Sequence, residues 1–236
     1  MATATPANAQ HNQTTSSHRR AVTAMFDRIA ARYDLLNDVL SFGLHRLARR
    51  VFINELQLRT GQLVLDVCSG TGALSRRAKG RGAVTVELDA SEAMLRRRHA
   101  RAGMGWAVVA DALALPFADG VFDAAMVGFA VRDVASPLRL FAEMRRVVKS
   151  GGTVGCIEFT QPPRYVSHLL GPYLRRVVPA IGGIVDKAAY SFLATSVARV
   201  MPADELAGVM QDAGLKMKRV RFCVGGIVAI HIATVA

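Results

Sequence analysis

Three aspartates and a glycine turn are the residues whose types and spacing could do chemistry. Residues 65–91 read LDVCSGTGALSRRAKGRGAVTVELDAS, and Asp66 lies four residues before the Gly-Thr-Gly turn at 70–72. Asp89 ends the next apolar run, and Asp111 follows a third one. A strand that leads through a glycine turn into a helix brings backbone N–H groups close to a ligand. The pattern therefore predicts a ligand cradle with acidic walls.

The positions of the acids indicate which ligand the cradle holds. The turn departs from the dinucleotide fingerprint G-x-G-x-x-G, because its sixth position is Ser75. A carboxylate at Asp66 would repel a pyrophosphate but would suit a ligand that carries ammonium and sulfonium groups. Asp89 is placed to accept two ribose hydroxyls, with Glu87 as the competing ligand, and Asp111 to contact an adenine edge. We therefore expect S-adenosylmethionine, with S-adenosylhomocysteine as product, rather than NAD; the alternative is that the acids only cap the following helices.

Short apolar runs alternate with helical patterns through the middle of the chain. The spacing predicts strands at 63–67, 83–88, 106–110, 122–129 and 153–159, and helices at 73–79, 91–102 and 137–148. A helix at 201–215 and two strands near 216–224 and 226–235, with a turn at Gly225-Gly226, close the chain. We expect an α/β fold: a doubly wound, mostly parallel seven-stranded sheet with a C-terminal antiparallel hairpin. Such a sheet gathers the three acids at one edge.

The ends of the chain differ in texture from its centre. Residues 1–18 are small and polar without the apolar core of a secretory signal, which predicts a disordered tail. We expect a helical cap at 19–60 and the main domain at 61–236, with a helical insert at about 160–200. No apolar stretch reaches the roughly 20 residues of a spanning helix. These features predict a cytoplasmic protein, with the inner face of the membrane as a peripheral location.

The net charge indicates which kinds of partner suit the chain, and the cysteines indicate whether it holds a metal site or disulfides. The 236 residues carry a formal net charge of +12, which suits nucleic acid, a lipid headgroup surface or an acidic substrate, although an Arg-rich solvated surface explains it equally well. Cys68, Cys156 and Cys223 form neither a CxxC pair nor a Cys/His cluster, so we predict no metal site and no disulfide framework.

Several longer segments carry a family resemblance: YDLLNDVLSFGLHR (33–46), ALPFADGVFDAAMVGFAVRDV (114–134), RVVKSGGTVGCIEFTQP (146–162), PAIGGIVDKAAYSFLATSV (179–197) and GGIVAIHIA (225–233). From Met25 onward the chain resembles the UbiE/MenG/COQ5 family, the class I, Rossmann-like C-methyltransferases of ubiquinone and menaquinone biosynthesis. The resemblance implies C-methylation of a demethylmenaquinol or ubiquinol-type ring. Ala48 and Asp133 depart from the family's usual Trp and Asn, so another phenolic or secondary-metabolite acceptor, methylated at carbon or oxygen, stays open.

The resemblance also implies roles for individual residues. It implies cofactor contacts at Thr71, Asp89, Asp111, Ala112 and Gly128, to which the charge and turn arguments add Asp66, Gly70 and Gly72. For catalysis we select Tyr33 and Arg132 as residues that shape the site, and His45 as a candidate base. Their alternatives are a core-edge aromatic for Tyr33, a surface ion pair with Asp133 for Arg132 and a helix-end histidine for His45.

The expected partner is a lipophilic quinol or phenol. Its tail needs an apolar groove, for which the insert offers Leu169, Leu170, Tyr173, Val177, Val178, Phe192 and Leu193. Arg164, Arg175 and Arg176 could touch an anionic membrane peripherally, and the oligomeric state, a homodimer included, stays open. We expect no nucleic acid, because Gly128–Val131 lacks the Asn/Asp-Pro-Pro-aromatic motif of base-amine methyltransferases. A non-catalytic scaffold is the remaining alternative, and the intact acids and glycines argue against it.

Overall fold

The computed structural model describes residues 6–97, 105–163, 166 and 200–236. In chain order the elements are α1 (Pro6–Ile29), α2 (Tyr33–Ser41), α3 (Leu44–Glu55), β1 (Leu63–Val67), α4 (Ala73–Lys79), β2 (Val84–Asp89), α5 (Glu92–Arg97), β3 (Trp106–Val109), β4 (Phe122–Gly128), α6 (Pro137–Val147), β5 (Val148–Phe159), α7 (Ala203–Asp212), β6 (Leu215–Cys223) and β7 (Val228–Val235). None of the described helices is long and apolar enough to cross a membrane.

A single seven-stranded sheet organises the chain, in the order β3-β2-β1-β4-β5-β7-β6. The first five strands of this order are mutually parallel, and β7 runs antiparallel to both of its neighbours. The tight connection at Val224–Gly226, where both glycines have positive φ, returns the chain from β6 into β7. The predicted sheet with its C-terminal hairpin is confirmed.

The register of the parallel strands positions the acidic edge. Asp66 pairs with Glu87 across β1 and β2, and Asp89 pairs with Val109 across β2 and β3. The carboxyl ends of β1, β2 and β3 therefore stop at nearly the same level. The segments that follow them emerge side by side, as expected for a ligand edge of an open α/β sheet.

Alternate residues of the central strands supply two apolar layers. Leu65 and Val67 belong to the core on the side of α6 and α7, whereas Val64 packs in the core beside α3 and α4. Strands covered by helices on both faces bury nearly every side chain, and the last four residues of β1 are all buried.

The N-terminal region differs from its expected division. Helix α1 begins at Pro6, so residues 6–18 are helical where the polar composition predicted a disordered tail. Proline is favoured in the first helical turn, and Ala and Gln in PANAQHNQ have good helix propensity. Helix α1 packs on α5, and α3 packs on α4. The predicted insert lies almost wholly outside the described residues, and the cap and main-domain boundaries stay predictions.

Candidate functional site

The glycine turn between β1 and α4 folds back toward β2. Cys68, Gly70 and Gly72 all have positive φ, at 54°, 56° and 73°. Gly70 N–H donates to Oδ2 of Asp89 at 2.8 Å. Two of these three positions, 70 and 72, are glycines, and glycine adopts positive φ without steric cost. The turn is thus tied to the end of the next strand.

Asp66 lies beneath this turn and is 1% exposed. Its Oδ2 accepts hydrogen bonds from the Ser75 amide at 3.0 Å and the Ser75 hydroxyl at 2.8 Å, so one oxygen does cap α4. The other oxygen, Oδ1, is buried with no hydrogen-bond partner. Burial raises the pKa of Asp66 to about 7, although the Ser75 bonds oppose the shift. The carboxyl therefore has unused acceptor capacity in a dry place.

Asp89 faces the space above the turn. Its Oδ1 accepts from the Ser91 amide at 2.8 Å, while Oδ2 holds Gly70. Burial raises the pKa of Asp89, against the opposing effect of these backbone N–H groups. The competing candidate Glu87 lies lower on the strand, 3% exposed, and pairs with Lys79 at 3.1 Å. Of the two acids, Asp89 is the one at the ligand edge.

Asp111 completes the row of acids beyond β3. Its Oδ1 accepts from the Leu113 amide at 3.0 Å, and its Oδ2 contacts the guanidinium of Arg19. Arg19 belongs to α1, so the first helix reaches across to the third strand. The neighbouring Ala112 is 7% exposed.

An open cleft of about 830 Å³, counted together with the space it shares with solvent, lies at this edge. Five of the predicted site residues line it: Tyr33, Gly70, Asp89, Asp111 and Ala112. Arg19 and Phe26 of α1 also line the cleft. The rest of its wall includes Cys68 and four residues after β4: Ala130, Asp133, Val134 and Ala135.

Four predicted cofactor residues lie outside the cleft lining: Asp66, described above, and Thr71, Gly72 and Gly128. Thr71 is buried and donates its hydroxyl to Oδ1 of Asp34 at 2.7 Å, which joins the turn to α2. Gly72 is the residue before α4. A Cβ at Gly128 would lie 2.8 Å from Cδ1 of Leu74, so this glycine has a packing reason of its own. Their cofactor contacts stay predictions.

Tyr33 is half-buried at the start of α2, and its ring meets Phe26 edge-on with centroids 6.0 Å apart. It therefore packs against α1 while one side faces the cleft. Tyr33 therefore packs at the edge of the core, as one alternative predicted, and also lines the cleft, as the other predicted.

Arg132 follows β4 in a buried polar cluster. Its Nη1 donates to Oε1 of Glu158 at 2.6 Å and to the Phe129 carbonyl at 3.1 Å, and its guanidinium stacks over Phe159. The pair with Asp133 exists at 3.8 Å, but it is buried rather than on the surface. Burial alone would lower the pKa of Arg132, but Glu158 and Asp133 outweigh it and the pKa is raised.

His45 lies in the first turn of α3, away from the residues that line the cleft. Its Nδ1 is 2.6 Å from Oγ of Ser41, and its Nε2 is 3.4 Å from Oδ1 of Asp38. Burial, followed by the positive charge of Arg49, lowers the pKa of His45 to about 4. The imidazole is neutral at pH 7.

Two buried charged residues close to the site, neither of them in the cleft lining, were missed from the sequence. Glu158 is 3% exposed at the end of β5 and accepts from the Val131 amide at 2.9 Å as well as from Arg132. Arg49 is 8% exposed on α3, with its guanidinium 5.3 Å from the ring centre of Phe129. An acid at the carboxyl end of a central strand was a usable signal for Glu158; Arg49 sits in an arginine-rich helix with no such mark.

The sequence is similar to known proteins over most of its length. The model of the ubiE/COQ5 methyltransferase family matches residues 13–235. The ubiquinone/menaquinone biosynthesis C-methyltransferase UbiE of Acidiphilium cryptum is 39% identical over 225 residues, covering 90% of each chain. The demethylmenaquinone methyltransferase of Mycolicibacterium vanbaalenii is 40% identical over 218 residues, covering 91% of this chain and 95% of the relative.

A solved SAM-dependent methyltransferase from Thermotoga maritima has the same fold, with a TM-score of 0.65 at 18% identity, covering 91% of this chain and all of the other. At that identity the likeness concerns the fold alone. The family model and the relatives, by contrast, extend over nearly the whole sequence, and on that ground the chain belongs to the ubiE/COQ5 methyltransferase family.

Proposed function

We propose that this protein transfers a methyl group from S-adenosylmethionine to a ring carbon of a demethylmenaquinol or ubiquinol-type precursor. The observation that carries the donor is the cleft at the carboxyl ends of β1, β2 and β3, walled by Gly70, Asp89 and Asp111. Relatives named as quinone C-methyltransferases, aligned over nine tenths of the chain, support the acceptor class.

The residues present fit the donor. Each Asp89 oxygen accepts one backbone N–H, and a carboxylate has about four lone-pair sites in total. Capacity for two ribose hydroxyls therefore remains. The unpartnered Oδ1 of Asp66 is a buried acceptor near the turn, and it suits a cationic ligand. Bound there, the donor would supply an electrophilic methyl group on its sulfonium.

The chain's own task is then to hold the acceptor and exclude water. Arg132 keeps its positive charge because Glu158 compensates it, and we propose that it favours the ionised form of the acceptor hydroxyl. Tyr33 faces the cleft and would shape the acceptor side. His45 contacts Ser41 and Asp38, and burial lowers its pKa to about 4, which makes it a weak base.

A lipophilic acceptor would approach most easily from an apolar surface. Four large side chains are exposed at the α2–α3 corner: Leu35, Phe42, Leu44 and Leu47, at 64%, 77%, 44% and 54%. Such clusters often mark binding or membrane surfaces. We propose that this corner contacts the membrane that holds the quinol. Arg164, Arg175 and Arg176, the predicted headgroup contacts, lie outside the described residues.

The test is an assay of the purified protein with S-adenosylmethionine and either demethylmenaquinol or a hydrophilic phenol. We expect the quinol to gain one methylene in mass, with NMR placing the new methyl on a ring carbon. Methylation at oxygen, or a clear preference for the hydrophilic phenol, would support a secondary-metabolite methyltransferase instead.

A further inference from the structure

Arg49 is a buried cation whose charge is left uncompensated by direct contact. Within the described residues its guanidinium makes no hydrogen bond and no ion pair, and it stacks on the face of Phe129, with Cζ 5.3 Å from the ring centre. Burying a charge without a hydrogen-bonded partner is costly. Arg132, which is comparably buried, shows the contrasting case, because it is held by Glu158 at 2.6 Å. This arrangement suggests that a bound ligand supplies the anionic partner of Arg49.

The neighbours of Arg49 place it beside the glycine turn. Burial lowers the pKa of Arg49, and the nearby carboxylates of Asp34 and Asp66 oppose that shift. Asp34 is already bonded to Thr71 of the turn, and Oδ2 of Asp66 to Ser75. Oδ1 of Asp66 has no partner. Two buried groups of opposite charge therefore have unused bonding capacity at the same end of the site.

The order of the strands assigns that end of the site to one part of the donor. Asp111 follows β3, Asp89 ends β2, and the glycine turn follows β1, and these three strands are neighbours in that order. A ligand whose adenine meets Asp111 and whose ribose meets Asp89 extends its amino-acid portion toward β1. That portion carries one ammonium and one carboxylate.

We propose that Arg49 binds the carboxylate of the donor's amino-acid portion, with Asp66 facing its ammonium group. The planar guanidinium matches a carboxylate through two parallel N–H···O bonds. The carboxylate of the zwitterion would then balance the charge of Arg49, and its ammonium group would balance that of Asp66. The inference rests on the proposed donor and adds the residue that reads its carboxylate.

The test is isothermal titration calorimetry with S-adenosylhomocysteine and with its decarboxylated analogue, S-adenosyl-3-thiopropylamine. For Arg49→Met we expect affinity for S-adenosylhomocysteine to fall about 10- to 100-fold, with little change for the analogue. Arg49→Lys keeps the charge but not the paired geometry, and should show a smaller loss for the carboxylated ligand only. Arg50→Met, the exposed neighbour on α3, is the matched control and should bind both ligands as the wild type does.

The outcomes separate this inference from the proposed function. An Arg49→Met variant that loses both ligands equally would show a structural role, and unchanged affinity for both would remove Arg49 from the donor site; either result overturns the proposal. Normal donor affinity with a raised KM for the quinol would assign Arg49 to the acceptor oxygen instead and also overturn it. If Arg49→Met does not fold, the lysine variant decides by the same comparison. A wild-type protein that binds neither ligand contradicts the proposed donor itself.

Discussion

Arg132 and Glu158 form a buried ion pair, with Nη1 of the arginine 2.6 Å from Oε1 of the acid and both side chains under 10% exposed. The pair joins the loop after β4 to the end of β5, and the same acid holds the amides of Val131 and Phe159. One carboxylate thus holds together the loop after β4 and the end of β5 beside the candidate site.

Replacing Glu158 by Gln should therefore be strongly destabilising. The change removes the shorter of the two ion pairs of the buried Arg132 and leaves only Asp133 at 3.8 Å, and breaking a buried pair typically costs about 3–5 kcal/mol. We expect this loss in the free energy of unfolding from urea denaturation, together with reduced methyl transfer. The control is Glu92→Gln, which breaks the exposed pair with Arg96 and should cost under about 1 kcal/mol. Equal stability of the two variants would contradict a structural role for the buried pair.

Asp66 should give the ligand-free protein a distinctive pH dependence. Its pKa is about 7 in the folded state against 3.8 as the reference value, so the folded protein binds this proton more tightly than the unfolded chain. Stability from this group is therefore highest at low pH. It falls by at most about 1.4 kcal/mol per pH unit as the pH rises from about 4 to 7, and then levels off.

Asp66→Asn removes the titration while keeping an acceptor for Ser75. We expect this variant to lack the fall in stability between about pH 5 and pH 7 when both proteins are unfolded with urea. Donor affinity of the wild type should weaken as the pH drops below about 7, because a protonated Asp66 cannot face an ammonium group. A wild type whose stability and donor affinity both match those of the variant at every pH would show that this carboxyl does not titrate there.

Asp89→Asn should weaken S-adenosylhomocysteine binding. One of the two oxygens that hold Gly70 and Ser91 becomes an N–H₂ group, which places donor against donor and removes an acceptor for the ribose. We expect a loss of about tenfold or more by calorimetry. Glu87→Gln, two residues earlier on the same strand and paired with Lys79, should leave the affinity nearly unchanged. The reverse order of effects would assign the ribose to Glu87.

Gly128→Ala tests the packing behind the site. Its Cβ would lie 2.8 Å from Cδ1 of Leu74 and 3.1 Å from Cγ2 of Ile157, and such overpacking costs about 1–3 kcal/mol. Gly208→Ala in α7, where a Cβ would meet nothing within 4 Å, should instead stabilise by about 0.5–1 kcal/mol. Thermal unfolding of both variants checks the contrast. A harmless Gly128→Ala would show that the helix and strand can separate there.

The sheet was predictable because its strands are short apolar runs between clear turn signals. Leu63–Val67 and Phe122–Gly128 are buried on both faces. A strand of this kind is a continuous apolar run, so its composition predicts its position in the centre of the sheet. The start of α1 was not predictable in this way, because residues 6–18 carry no apolar stripe that distinguishes a helix from a polar tail.

The candidate site was predictable only in part. Asp89 and Asp111 follow strand ends and do line the cleft, as their positions indicated. Asp66 also lies near a strand end, yet its side chain points under the glycine turn toward Ser75. This direction is set by the face of β1 on which Asp66 lies. Arg49 and Glu158 come from distant segments. The position of Glu158 at a strand end was a usable signal, but the partners of both residues and the burial of Arg49 depend on tertiary contacts that the local sequence does not specify.

The first helix supplies a wall of the cleft through Arg19 and Phe26, and Arg19 occupies an oxygen of the acid expected to meet adenine. A nucleoside that contacts both oxygens of Asp111 would therefore compete with Arg19 for one of them. Donor affinity is in this way coupled to the docking of α1, a helix that a reading of the glycine turn and the strand ends alone would leave out.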